Sequence, residues 1–283
     1  MKMISVRLFL PVTLAILVWS SCNIINPAED IPAYIEVDSI GVYTDLQTQG
    51  SATSNIVDAW ITVDGEFLNG YQLGRKVPVL FSGIHTVSIR AGILLNGIEG
   101  TRVPYAVFKT FDTLVDLQPG MIHKIIPRVT YYNSTVFLLD ENFDSNSLLF
   151  STTVTSPPML VENNTFDGNC GLVVMDAAHA DFECTTTDSF DLPGGTKPTY
   201  IEIDYKCNTE FSVGVKANTT LGPLDFPLLN VRSSDAWKKI YVNLTSIASQ
   251  AQHATDWKIY LTATLQDGHA TDTLRFDNIK LVY

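Results

Sequence analysis

From Ala33 onward the chain alternates. Ile35/Val37, Ile61/Val63, Val87/Ile89, Phe211/Val213/Val215, Ile240/Val242/Leu244 and Ile259/Leu261 are separated by polar or small residues. That period of two puts one face of a strand into a core and the other outside it. Clusters of Gly, Asn, Asp and Pro interrupt the runs at the spacing of short sandwich strands. The stretch from Asp58 to Leu73 predicts a hairpin with Asp64-Gly65 at its turn, because a two-residue turn asks for residues that tolerate positive φ. One short helix is predicted at 246–253. In the closing run, Phe276 falls on an even position while Ile279 and Leu281 fall on odd ones. This one-residue slip at Asp277-Asn278 predicts a β-bulge. The pattern as a whole predicts an all-β chain of two β-sandwich domains in series, residues 33–133 and 134–283.

The first 21 residues follow another rule. A basic start containing Lys2 and Arg7 precedes an apolar run from Leu8 to Trp19, then Ser20, Ser21 and Cys22. The run is too short for a membrane-spanning helix, which takes roughly 20 residues, and has the length of a signal-peptide core. Residues 22–32 contain two prolines and the acidic pair Glu29-Asp30. They read as a tether.

Composition narrows the function. The chain is 46% hydrophobic and 17% charged with a net charge of −12, so it has material for real cores. So acidic a chain repels phosphate backbones, and nucleic acid is set aside as a partner. Apart from Cys22, the cysteines are Cys170, Cys184 and Cys207. An odd number allows at most one disulfide, and Cys170 and Cys184, flanking a strand-like segment, form the favoured pair in an oxidising compartment. Cys207 ends the alternation Ile201, Ile203, Tyr205 and is predicted to point into a core. The five histidines are scattered, with no H-E-x-x-H, and no G-x-S-x-G elbow occurs. The chain is read as no enzyme. Asp176, His179 and Asp181 form the one mixed cluster, read as a solvated loop.

Three stretches carry resemblances. Ser20-Ser21-Cys22 after an apolar run resembles the lipobox of bacterial lipoproteins, in looser forms familiar from Bacteroidetes-type bacteria. Trp19 stands where the family usually has Leu. The resemblance implies acylation of Cys22 after cleavage and a lipid anchor in the outer membrane, on its periplasmic face or at the cell surface. Several buried acyl tails suffice for stable attachment. Gly83-Ile84-His85-Thr86-Val87 is similar to a strand start of PEGA-like domains, and roughly seven short strands suit an immunoglobulin-like sandwich. In residues 134–283, the opening Val136–Asp144, the run Trp237–Leu244 and the closing Phe276-Asp277-Asn278-Ile279 resemble jelly-roll carbohydrate-binding modules and galactose-binding-like domains. That resemblance implies a structural calcium, with Asp277 as the matching ligand and Glu141 or Asp144 as its partners; Ca²⁺ takes 6–8 hard oxygens. It also implies glycan recognition by exposed aromatics. Tyr200 and Tyr241 are the candidates, since both fall opposite the apolar phase of their strands. Trp237 and Trp257 begin strands, and Trp257 shares its phase with Ile259 and Leu261. The expected role is a membrane-anchored, non-enzymatic envelope protein whose jelly roll binds a glycan or a protein. The alternative is a structural subunit of an adhesion, gliding or secretion assembly. A hydrolase ranks third.

Overall fold

The computed structural model describes residues 29–283 apart from Asn146, Asn164, Ala248, Gln252 and His253. Cys22 and the signal sequence lie outside the described residues, as does His253 at the end of the predicted helix.

The alternating runs all become strands. The first ten are β1 (Ala33–Glu36), β2 (Gly41–Val42), β3 (Asp58–Val63), β4 (Glu66–Gln72), β5 (Lys76–Val79), β6 (Gly83–Leu94), β7 (Arg102–Pro104), β8 (Phe111–Leu117), β9 (Ile122–Lys124) and β10 (Arg128–Val129). A five-stranded sheet has the order β4-β3-β6-β7 with β8 also on β6. It is faced by the three strands β5-β1-β9 and the pair β10-β2. Odd positions such as Ile35, Ile61, Val63, Val87, Ile89 and Ile93 fill the core between them. The predicted hairpin is present: Val63 pairs with Glu66, and Asp64 and Gly65 both take positive φ.

The remaining strands are β11 (Phe137–Glu141), β12 (Phe150–Thr152), β13 (Leu160–Glu162), β14 (Cys170–Asp176), β15 (Asp181–Thr186), β16 (Tyr200–Cys207), β17 (Phe211–Thr219), β18 (Gly222–Val231), β19 (Ser234–Asn243), β20 (Ala254–Thr264) and β21 (Thr271–Val282). They form a six-stranded sheet, β13-β14-β21-β16-β19 with β11 on β21, and a five-stranded sheet, β12-β15-β20-β17-β18. The chain crosses repeatedly from one sheet to the other, as in a jelly roll. Ile201, Ile203, Phe211, Val213, Ile259, Leu261, Leu274 and Phe276 meet between the two sheets. The fold is all-β, sandwich on sandwich. Residues 245–247 and 249–250 form turns, with no helix among the described residues of this segment.

The slip in the last strand is real. β21 pairs with β14 as far as Phe276 and with β11 from Ile279. On its other side the register against β16 shifts between Glu202 and Asp204. Asn278 takes φ +46 to allow it.

The cysteine pairing is corrected. Cys170, Cys184 and Cys207 are all free thiols and all buried. Val173 and Met175 of β14 face the core, so alternation turns Cys170 to the opposite face. There its sulfur lies 3.7 Å from Glu162 Oε2. Cys184 belongs to the core between the sheets. The two side chains point to different faces of different sheets, which sequence separation alone does not reveal. Burial pushes the Cys170 thiol up to about 11 and the Cys184 thiol higher still. Cys207 enters the core as its phase predicts.

Candidate functional site: the junction of the two sandwiches

In β16 and β19 the phase opposite the core is buried as well. Tyr200, Glu202, Asp204, Lys239 and Tyr241 are each less than a tenth exposed, because the first sandwich lies against this outer face. Tyr200 and Tyr241 belong to the first sandwich's apolar cluster. Their rings pack on Tyr105 with centroids 4.9 and 4.8 Å away. The Tyr241 hydroxyl accepts the Asn55 backbone N–H at 3.0 Å, and a parallel bridge joins Leu95 to Tyr241. This corrects the expectation for both tyrosines. Alternation assigned them the right face, but another domain covers that face, so neither presents a ring to a ligand.

Beneath the tyrosines lies a charged centre. Glu202 Oε1 accepts the hydroxyls of Tyr105 at 2.6 Å and Tyr131 at 2.7 Å, and Oε2 sits 3.2 Å from Lys239 Nζ. Burial works to raise the Glu202 pKa. Lys239, Lys280 and the two hydroxyls outweigh it and hold the carboxyl below its usual range. Lys239 also donates to Thr53 Oγ1. Lys280 donates to the carbonyls of Gln49 and Ser51, both at 2.6 Å. The loop between β2 and β3 is thereby locked onto the second sandwich. Gly50 in that loop takes φ +66, and a Cβ on it would collide with the Asp140 carboxylate.

The bulge opens into the same region. Asp277 is fully buried, and its Oδ2 has no partner among the described residues. Burial, reinforced by the charges of Asp204, Asp167 and Asp144, pushes its pKa up to about 8. The Asn278 amide donates to Asp204 at 3.1 Å, and Asp144 accepts the Asn169 N–H at 3.0 Å. Of the carboxylates expected to hold calcium, Glu141 departs: its two oxygens accept the backbone N–H groups of Phe143 and Leu149, so it organises the loop after β11. Among the described residues no three acids, histidines or cysteines converge as a formed metal centre. What suits a hard cation is the unpartnered Asp277 oxygen in a region of surplus negative charge.

At the edge of the junction is a cleft of about 250 Å³. Thr53 and Asn55 of the first sandwich form one wall, with Asp204, Lys238, Trp237 and Phe166 of the second facing them. Phe166 and Trp237 stack with centroids 5.2 Å apart and planes 18° apart. Phe166 is 48% exposed. Sequence reasoning passed over both rings. Trp237 looked like a strand start, and Phe166 sits alone in a run of polar loop residues. That isolation was the available signal. Trp257 is core, as its phase predicts. The Asp176–His179 segment is a tight turn in which Asp176 Oδ1 accepts two backbone N–H groups.

No family model matches this chain, and no curated protein sequence does. Solved structures similar to it include a family 30 carbohydrate-binding module of a cellulosomal cellulase of Clostridium thermocellum. It is 13% identical, with 52% of this chain and 96% of that one covered, at a TM-score of 0.36. A family 11 carbohydrate-binding module from Clostridium thermocellum, in complex with a β-1,3-1,4-mixed-linked tetrasaccharide, is 16% identical over 50% of this chain and 93% of that one, at a TM-score of 0.36. A xylan-binding domain is 12% identical over 53% of this chain and 96% of that one, at a TM-score of 0.37.

Proposed function

We propose that this chain is a lipid-anchored envelope protein that binds a glycan in the cleft at the junction of its sandwiches and performs no chemistry of its own. The observation that carries the reading is the stacked Phe166–Trp237 pair beside the polar groups of Asn55, Thr53 and Lys238. A pyranose has an apolar C–H face and a rim of hydroxyls. The cleft offers an aromatic surface for the one and donors and acceptors for the other. Its volume of about 250 Å³ lies below the roughly 300–1,000 Å³ of drug-sized sites, which suits one sugar ring or a chain end. Acylation at Cys22 would place the cleft outside the cytoplasm, at the outer membrane.

A calcium ion at the bulge belongs to the same proposal, as a structural element. Asp277 would hold it, with Asp144 and Asp167 nearby. A bound cation would offset the buried negative charge and steady the loops that carry Phe166.

The test is a glycan array with the full chain kept unacylated by Cys22→Ser. Binding is expected, with at least a tenfold loss in Trp237→Ala and in Phe166→Ala. Binding unchanged in both variants would remove the cleft from the reading. A folded protein that binds no glycan would sink it and put the structural-subunit reading first, to be pursued by cross-linking in the envelope.

A further inference from the structure

The first sandwich has a second pole, opposite the junction, and strand pairing defines it. Ala33 at the start of β1 lies beside Val79 at the end of β5, and Tyr34 lies beside Ile122 at the start of β9. The Gly120 N–H donates to Pro32 O. Gly83 pairs with Leu117, and His85 ties Asp64 of the hairpin turn to Ser82 O. Residues 29–32, the Asp64-Gly65 turn, 80–82 and 118–121 therefore gather at one end. From there β1 runs toward the second sandwich.

This end is apolar and open to solvent. Leu80 is 73% exposed, Ile84 72%, Ile31 68% and Met121 54%. A hollow of about 490 Å³ is lined in part by Ile31, Leu80, Phe81 and Pro119. Large aliphatic side chains gathered at one end mark an interaction surface. Two features of the chain select the occupant. The chain leaves this pole toward Cys22, seven residues before Glu29, a reach of at most ~25 Å. The pole also carries Glu29, Asp30, Asp64 and Asp116 without a lysine or arginine in 29–34, 64–66, 80–85 or 116–122, which disfavours an anionic surface.

We propose that this pole seats on the bilayer, with Leu80, Ile84, Ile31 and Met121 dipping into the interface of a zwitterionic leaflet. The chain then stands with its second sandwich held outward. The inference rests on acylation at Cys22, and the experiment separates the two.

The full chain, made in an acylating bacterium, is reconstituted into phosphatidylcholine–phosphatidylethanolamine vesicles. A polarity-sensitive fluorophore is attached at Leu80→Cys, at Met121→Cys or, as control, at Leu221→Cys in the exposed β17–β18 turn. Mass spectrometry reads acylation, and flotation reads attachment. The expected result is a blue shift at both pole positions, none at Leu221, and a smaller shift once phosphatidylglycerol is added. Acylated protein that floats without a shift at Leu80 and Met121 overturns the seating and leaves the anchor standing. Protein that carries no acyl mass and stays unattached overturns the anchor and the seating together.

Discussion

Glu202 is almost wholly buried, yet it is the carboxylate on which the junction converges. Removing one partner of a buried ion pair leaves the other charged and unsolvated, at a cost of about 3–5 kcal/mol. Glu202→Gln keeps the shape and deletes the charge, so it should lower the unfolding free energy by about that much in denaturant titrations. A change below about 1 kcal/mol would show that the centre is not closed to water. The pH dependence has a definite sign. Lys239, Lys280 and two tyrosine hydroxyls hold the folded pKa of Glu202 below its usual range against burial. Its contribution is therefore present above the ordinary glutamate range and is lost as pH falls through the lowered value. The wild type should lose stability in acid more steeply than Glu202→Gln. Gly50 is a second residue with a sharp expectation. Its positive φ and the Asp140 carboxylate below it leave no room for a methyl group. Gly50→Ala should cost at least ~1–3 kcal/mol. An unchanged melting temperature would mean that the loop has another way to sit.

Among the elements, the bulge in β21 reaches furthest. It transfers the strand from β14 to β11 and turns Asp277 into a buried, unpartnered oxygen. Calcium is expected to raise the melting temperature of the wild type and leave Asp277→Asn unmoved; an equal response in both would place the ion elsewhere. The bulge was legible in the sequence because a phase slip between Phe276 and Ile279 is local. The hairpin was legible for the same reason, since Asp64-Gly65 states its own geometry. Tyr200 and Tyr241 show where this legibility ends. Alternation told which face of the strand they occupy. What covers that face is decided by Tyr105, Asn55 and Leu95, more than ninety residues away in the chain. The cysteine pair failed in a related way: spacing brought Cys170 and Cys184 together, and strand phase sent their side chains apart. Trp237 lies in β19 and Phe166 in the loop between β13 and β14, and only folding makes them a pair.

For the whole molecule, the junction ties the two sandwiches thermodynamically. Buried tyrosines contribute roughly 1.5–3 kcal/mol each, edge-to-face pairs somewhat more, and a buried charge network penalises any half-separated state. The two sandwiches should therefore unfold as one unit. Calorimetry should record a single transition whose van't Hoff and calorimetric enthalpies agree. Two resolved transitions would mean that the interface contributes little.

The doubly buried β16 also bears on descent. Jelly-roll units are often imagined as parts that can be cut from one chain and spliced into another. Here the exposed wall of such a transplant would carry Tyr200, Glu202, Asp204, Lys239 and Tyr241, five side chains chosen for a neighbour that stayed behind. The second sandwich is thus poor currency for shuffling. Its lineage should travel with the first sandwich, and where the pair has separated, those five positions are where the sequence should have been rewritten.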